Sequence, residues 1–82
     1  MLKTVFIPLT ESKINKSYKI FRIKIGNNIT LRRMLDLGIV SGSEIKAIHK
    51  SPMGNLTAYF IKGTVIAIRD SDAKNILVYK AP

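Results

Sequence analysis

Between residues 17 and 25 the chain reads SYKIFRIKI, and its side chains alternate. Phe21, Ile23 and Ile25 share one face, while Tyr18, Ile20, Arg22 and Lys24 share the other. A period of two marks a strand, and it predicts a core face of Phe21, Ile23 and Ile25 with a second face only partly polar. GNN at 26–28 is turn chemistry. The period then changes. In ITLRRMLDLG, Leu31, Met34 and Leu35 recur at i, i+3 and i+4, and Arg32, Arg33 and Asp36 face away. That spacing predicts a short helix. Asn28 or Thr30 is placed to cap its start, and Gly38 follows its last apolar residue, where a left-handed stop favours glycine.

Beyond IVSG, a strand is expected over SEIKAIHKS (43–51), with Ile45 and Ala47 alternating with lysines and Ile48. PMGN (52–55) is a turn by composition, LTAYFIK (56–62) a strand, Gly63 its breaker and TVIAIRD (64–70) the next strand. Such short separations imply hairpins and an antiparallel sheet. DSDAKN (70–75) suits one helical turn with Asp70 as its cap, and ILVYK (76–80) is a last strand. Residues 1–7 are read as an extension or an added edge strand. The fold class expected is mainly β: about five short antiparallel strands with one short helix, curled into a small barrel because that buries a thin core best.

Length and composition narrow the partners more than the fold. With 82 residues the chain is a single domain, 1–82. The hydrophobic share of 46% argues against disorder, and the absence of cysteine excludes disulfide and thiolate chemistry. No secretory signal is expected in MLKTVFIPLT, where Pro8 breaks a short apolar run. No apolar run approaches the roughly 18–20 residues of a spanning helix. The expected location is the cytoplasm. Fourteen basic residues against five acidic ones give a formal charge of +9. That balance attracts phosphate backbones, anionic membranes and acidic protein faces alike, and the basic residues are scattered rather than run together.

An enzyme is not expected. His49 is the lone histidine, and no Ser/His/Asp set, phosphate-binding glycine loop or converging ligand set is present. Glu11, Asp36, Glu44, Asp70 and Asp72 do not form a metal site by spacing, so neither metal nor cofactor is expected. Gly38 and Gly42 read as structural turn residues. The alternative function is a basic barrel that binds single-stranded nucleic acid by stacking plus charge, with Tyr18, Tyr59 and Tyr79 as platforms. It ranks second, because no aromatic RNA-binding motif is present and strand tyrosines usually pack by the ring.

The stretch RRMLDLGIVSGSEIKAIHKSPMGN resembles the signature of the FeoA family: an arginine, an apolar pair, an acid and an apolar residue, then a glycine turn leading into a strand. Arg33, Met34, Leu35, Asp36, Leu37, Gly38 and Gly42 match it, and the Pro52–Gly54 turn follows in order. GTVIAIRDSDAKNILV resembles the family's ending and PLTESKINKSYKIFRI its opening, so the likeness covers nearly all of the chain from Pro8. Two departures stand out: Ser41 occupies a place where the family often has proline, and INKSY replaces a glycine before the first strand.

The resemblance implies an SH3-like, partly open barrel. It also implies a non-enzymatic accessory protein of bacterial ferrous iron uptake, whose partner is the cytoplasmic GTP-binding part of a FeoB-type membrane transporter. Transition-metal binding is a property attached to the family. The membrane would be met only through the transporter. The expected contact surface is Arg32, Arg33, Ile39, Ile48 and Met53, with Lys46 and Lys50 at its rim. An edge strand at residues 1–7 would also permit a homo-oligomer.

Overall fold

A computed structural model of the chain describes residues 4–24 and 29–80. Six antiparallel strands form one strongly curled sheet: β1 (Phe6–Pro8), β2 (Ser17–Ile23), β3 (Glu44–Lys50), β4 (Leu56–Ile61), β5 (Thr64–Arg69) and β6 (Ile76–Lys80). Their order across the sheet is β1-β6-β2-β3-β4-β5. Helix α1 (Ile29–Asp36) joins β2 to β3, and one short helical turn, α2 (Asp70–Ala73), joins β5 to β6. The expected architecture stands, with the N-terminal edge strand raising the strand number from about five to six.

Side chains from every layer meet in one core. Tyr18 and Ile20 of β2, Ile45 and Ala47 of β3, Tyr59 and Ile61 of β4, Ile68 of β5 and Ile76 and Val78 of β6 are all buried. Leu31 and Met34 close the core from α1.

The face expected for the first long strand is reversed. Tyr18 and Ile20 point inward, Phe21 is exposed and Ile23 is half-buried; Ile25 lies outside the described residues. Regular pairing through Ile20 already turns Phe21 outward, and a bulge after it brings Ile23 back toward the core. Ile20 pairs with Val78 and Arg22 with Leu77, so Phe21 has no partner and the alternation resets around it. Phe21 instead lies on the outside of the sheet, stacked on Phe6 with ring centroids 4.1 Å apart.

The glycine turn explains how α1 is held. The Gly38 N–H donates to the Leu35 carbonyl at 2.9 Å and the Ile39 N–H donates to the Met34 carbonyl at 3.0 Å. This pair of bonds is a Schellman stop, with Gly38 at φ +83°. The motif sets Ile39 beside Met34, and both are buried. The wedge that closes the barrel is therefore Leu31, Met34 and Ile39. Leu35, which helical spacing placed with Leu31 and Met34, is 38% exposed.

Residues 40–43 then stitch onto β2. The Val40 N–H donates to Ser43 Oγ and the Ser43 N–H donates back to the Val40 carbonyl, both at 3.0 Å. The Gly42 N–H donates to the Ile20 carbonyl at 2.6 Å, with Gly42 at φ +91°. The Ser41 hydroxyl donates to the carbonyl of the bulged Phe21 at 2.7 Å, supplying a partner at the point where the ladder breaks.

Two capping expectations are corrected. Thr30 is the second residue of α1 rather than its cap, and Asn28 lies outside the described residues, as does the whole GNN turn. Arg69, not Asp70, holds the cap position of α2. The Asp70 N–H is already engaged by the Asn55 carbonyl at 3.0 Å. In INKSY, Asn15 adopts φ +64°, a left-handed conformation that asparagine tolerates better than most residues.

Candidate docking surface

Strands β4 and β5 are joined by Lys62 and Gly63, both left-handed at φ 49° and 78°. A two-residue connection of this kind makes Ile61 and Thr64 a hydrogen-bonded pair. Thr64, Ile66 and Ile68 therefore bond to β4, and Val65 and Ala67 direct their N–H and C=O groups to the other side of β5. Among the described residues no strand lies on that side.

The outer face of β3, β4 and β5 is largely apolar. Lys46, Phe60 and Val65 form one cross-strand row, and His49, Ala58 and Ala67 form the next. Phe60 is 45% and Val65 57% exposed, and Leu56 and Ile48 also show to solvent. A patch of this kind, rimmed by Lys46, His49 and Arg69, is a mark of an interaction surface.

The row runs into a groove between β5 and α1. Val65, Ile66 and Ala67 form one wall; Ile29, Arg33 and Leu37 form the other, around a volume of about 470 Å³. No carboxylate lines it. Arg33, Val65, Phe60 and Lys46 thus lie along one continuous path. A second groove, on the other flank of α1, holds Leu35, Val40, Phe21 and Arg22.

The expected contact residues divide accordingly. Arg32 and Arg33 are exposed on α1, and Arg33 enters the groove. Lys46 is half-buried and Ile48 is exposed at a second bulge, between Ala47 and His49. Lys50 lies at the far end of β3, its stem lying against Gly54 in the turn that carries Met53. Met53 is 87% exposed. Ile39 cannot be a contact residue, because it is 1% exposed and belongs to the core.

Phe60, Val65, Leu37 and Ile29 were missed by the sequence reading. The available signal was the lack of a polar face in LTAYFIK and TVIAIR. Both strands are apolar on both sides, a pattern that calls for a second covered face.

Among the described residues no three His, Cys, Asp or Glu side chains gather as a metal cluster. His49 is exposed on the outer face of β3. Of the three tyrosines proposed as stacking platforms, Tyr18 and Tyr59 are buried, and Tyr79 is half-buried with its ring edge-on to Phe6. The Tyr18 hydroxyl accepts the Lys13 N–H at 3.2 Å. Burial pushes the Tyr59 hydroxyl above its ordinary pKa, against a lowering hydrogen bond from Thr57, with the Asp70 charge adding to the rise. No helix among the described residues is long and apolar enough to cross a membrane.

Comparison with known proteins agrees with the architecture. The family model described as FeoA domain matches residues 7–80. The solution structure of a FeoA-like protein from Clostridium acetobutylicum is 35% identical, with a TM-score of 0.78 over 100% of this chain and 92% of that one. FeoA of Stenotrophomonas maltophilia, determined with zinc and described as a prokaryotic SH3 domain protein, is 28% identical. Its TM-score is 0.70 over 94% of this chain and 89% of its own. A manganese-dependent transcriptional repressor shares the fold at 15% identity and a TM-score of 0.81, with 99% of this chain matching 45% of the repressor. No curated protein matches.

Proposed function

The chain belongs to the FeoA family, and from that premise we propose that it is a non-enzymatic accessory protein of ferrous iron uptake that docks on the cytoplasmic GTP-binding part of a FeoB-type transporter. The observation that carries the reading is the family match over residues 7–80. The S. maltophilia relative is itself described in terms of ferrous iron transport activation. The surface gives the reading a physical form: an apolar outer face on β3–β5 with Lys46, Arg33 and Arg69 around it. A basic rim speeds and orients encounter with an acidic partner face, and a few central apolar side chains supply the affinity.

The docking residues in this reading are Arg32, Arg33, Lys46, Ile48, Lys50 and Met53, joined by Phe60 and Val65. The test is direct binding to the transporter's cytoplasmic portion, wild type against Arg32→Glu/Arg33→Glu. Both side chains are exposed, so the variant keeps its fold and is expected to lose about tenfold or more in affinity, mainly in association rate, with the loss shrinking as salt is raised. Unchanged affinity in the folded double variant discards this surface. No binding by the wild type discards the partner.

A further inference from the structure

The grooves, the two apolar faces and the strand edges of the molecule differ in one respect. At β5 unpaired backbone groups, an exposed apolar row and basic side chains coincide, beside a groove without a carboxylate. Val65 and Ala67 aim their N–H and C=O groups away from β4, toward the groove. Their side chains extend the rows set by Phe60 and Ala58. Lys62 stands at one end of β5 and Arg69 at the other, and Arg33 projects from the opposite wall.

We propose that this edge is a strand-addition site that captures an acidic, extended segment of a partner protein, which pairs with β5 as a seventh strand of the sheet. Main-chain bonds to Val65 and Ala67 supply register. Side chains on one face of the added strand continue the apolar row of Phe60 and Val65, and those on the other face enter the groove toward Arg33. Charge decides the occupant. Lys62, Arg33 and Arg69 border the strand and no carboxylate lines the groove, with Asp70 beside Arg69 at the far end, so carboxylates on the incoming segment find partners at the Lys62 end and in the wall. A second copy of this chain, at +9, would instead bring like charge to like charge. The length is also suitable: a groove of about 470 Å³ beside a six-residue strand accepts a short segment, not a folded domain.

The inference is independent of which protein supplies the segment, so its failure and the failure of transporter docking are separate results. The probe is a fluorescein-labelled seven-residue peptide alternating glutamate and valine, with an alternating lysine and valine peptide as its charge-reversed counterpart. Binding is followed by anisotropy and by amide shifts of the labelled protein. The expected result is binding of the glutamate peptide alone, with shifts and slowed amide exchange centred on Val65 and Ala67. Ala67→Pro removes an N–H that the β4 ladder does not use, a place where an edge strand tolerates proline. It is expected to keep the fold and weaken binding at least tenfold. Arg33→Glu, on the opposite wall, is expected to weaken it comparably without touching the β5 backbone. Equal binding of both peptides, shifts elsewhere on the molecule, or full affinity in folded Ala67→Pro overturns the proposal. So does concentration-dependent protection of Val65 and Ala67 in the protein alone, which would make the occupant a second copy.

Discussion

Replacing Gly42 tests the turn that fixes α1 over the barrel. Gly42 sits at φ +91°, and a Cβ built on it meets nothing within 4 Å. A substitution there therefore probes backbone conformation without a clash. An L-residue in the left-handed region costs roughly 1–2 kcal/mol. Alanine also narrows the unfolded ensemble, which offsets about 0.4–1 kcal/mol. The net expectation for Gly42→Ala is a destabilisation of about 1 kcal/mol, or a fall in melting temperature of roughly 4–8 °C for a domain of this size. A D-alanine at the same position, introduced by chemical synthesis, reverses the first effect and keeps the second, so it should stabilise by about 0.4–1 kcal/mol. Thermal and urea unfolding monitored by circular dichroism measures both. A neutral or stabilising L-alanine, or two enantiomers that shift stability the same way, refutes the reasoning. Either result would mean that the Gly42 N–H bond to Ile20 does not require this backbone geometry.

Two further outcomes follow from the same structure. Ser41→Ala removes the hydroxyl that meets the Phe21 carbonyl. Because that contact is exposed, water replaces it in part, and the cost should be about 0.5–1 kcal/mol, with amide shifts concentrated at the β2 bulge; an unperturbed bulge would show that the hydroxyl does not support it. For Tyr59 the raised pKa means that the unfolded chain releases its proton first. The stability tied to the neutral hydroxyl is thus fully present below the ordinary tyrosine value near 10 and is lost as pH rises through the higher folded value. Tyr59→Phe is expected to flatten this alkaline decline in pH-resolved urea titrations, and a slope identical to wild type would remove Tyr59 as its source.

What the sequence disclosed, and what it concealed, has a physical pattern. Elements defined by local chemistry were legible. Gly38 stops a helix and Gly63 breaks a strand, because left-handed conformations select few residues; Lys62, read as the end of the strand, proves to be the first residue of the turn. The faces were less legible, because a bulge is invisible to a period of two. Alternation from the buried Tyr18 and Ile20 turns Phe21 outward, and only the bulge returns Ile23 to the core side. Leu35 and Ile39 exchanged roles for a related reason. Helical spacing favours Leu35 for the core, but the Schellman stop carries Ile39 back over Met34, a contact between the end of a helix and the chain beyond it. Charge named a class of partner without locating it, because the lysines and arginines are scattered in the sequence and only the sheet gathers them.

The two-sided strands also locate the surface. A strand in a one-sided sheet needs one apolar face; Leu56–Ile61 and Thr64–Arg69 carry two. Core packing accounts for Tyr59, Ile61 and Ile68, and nothing in the core accounts for Phe60, Val65 or Ala67. An apolar outer face raises the risk of aggregation unless a partner covers it or charge guards it. Here the guards are Lys62 and Arg69, at the two ends of β5, the strand with the open edge. Cations at these places repel a second copy of a basic chain and leave an acidic strand as the favoured neighbour. On the strand-addition proposal, the net charge, the two-sided strands and the unclosed side of the barrel are parts of one device, in which the same side chains guard the edge and select the partner.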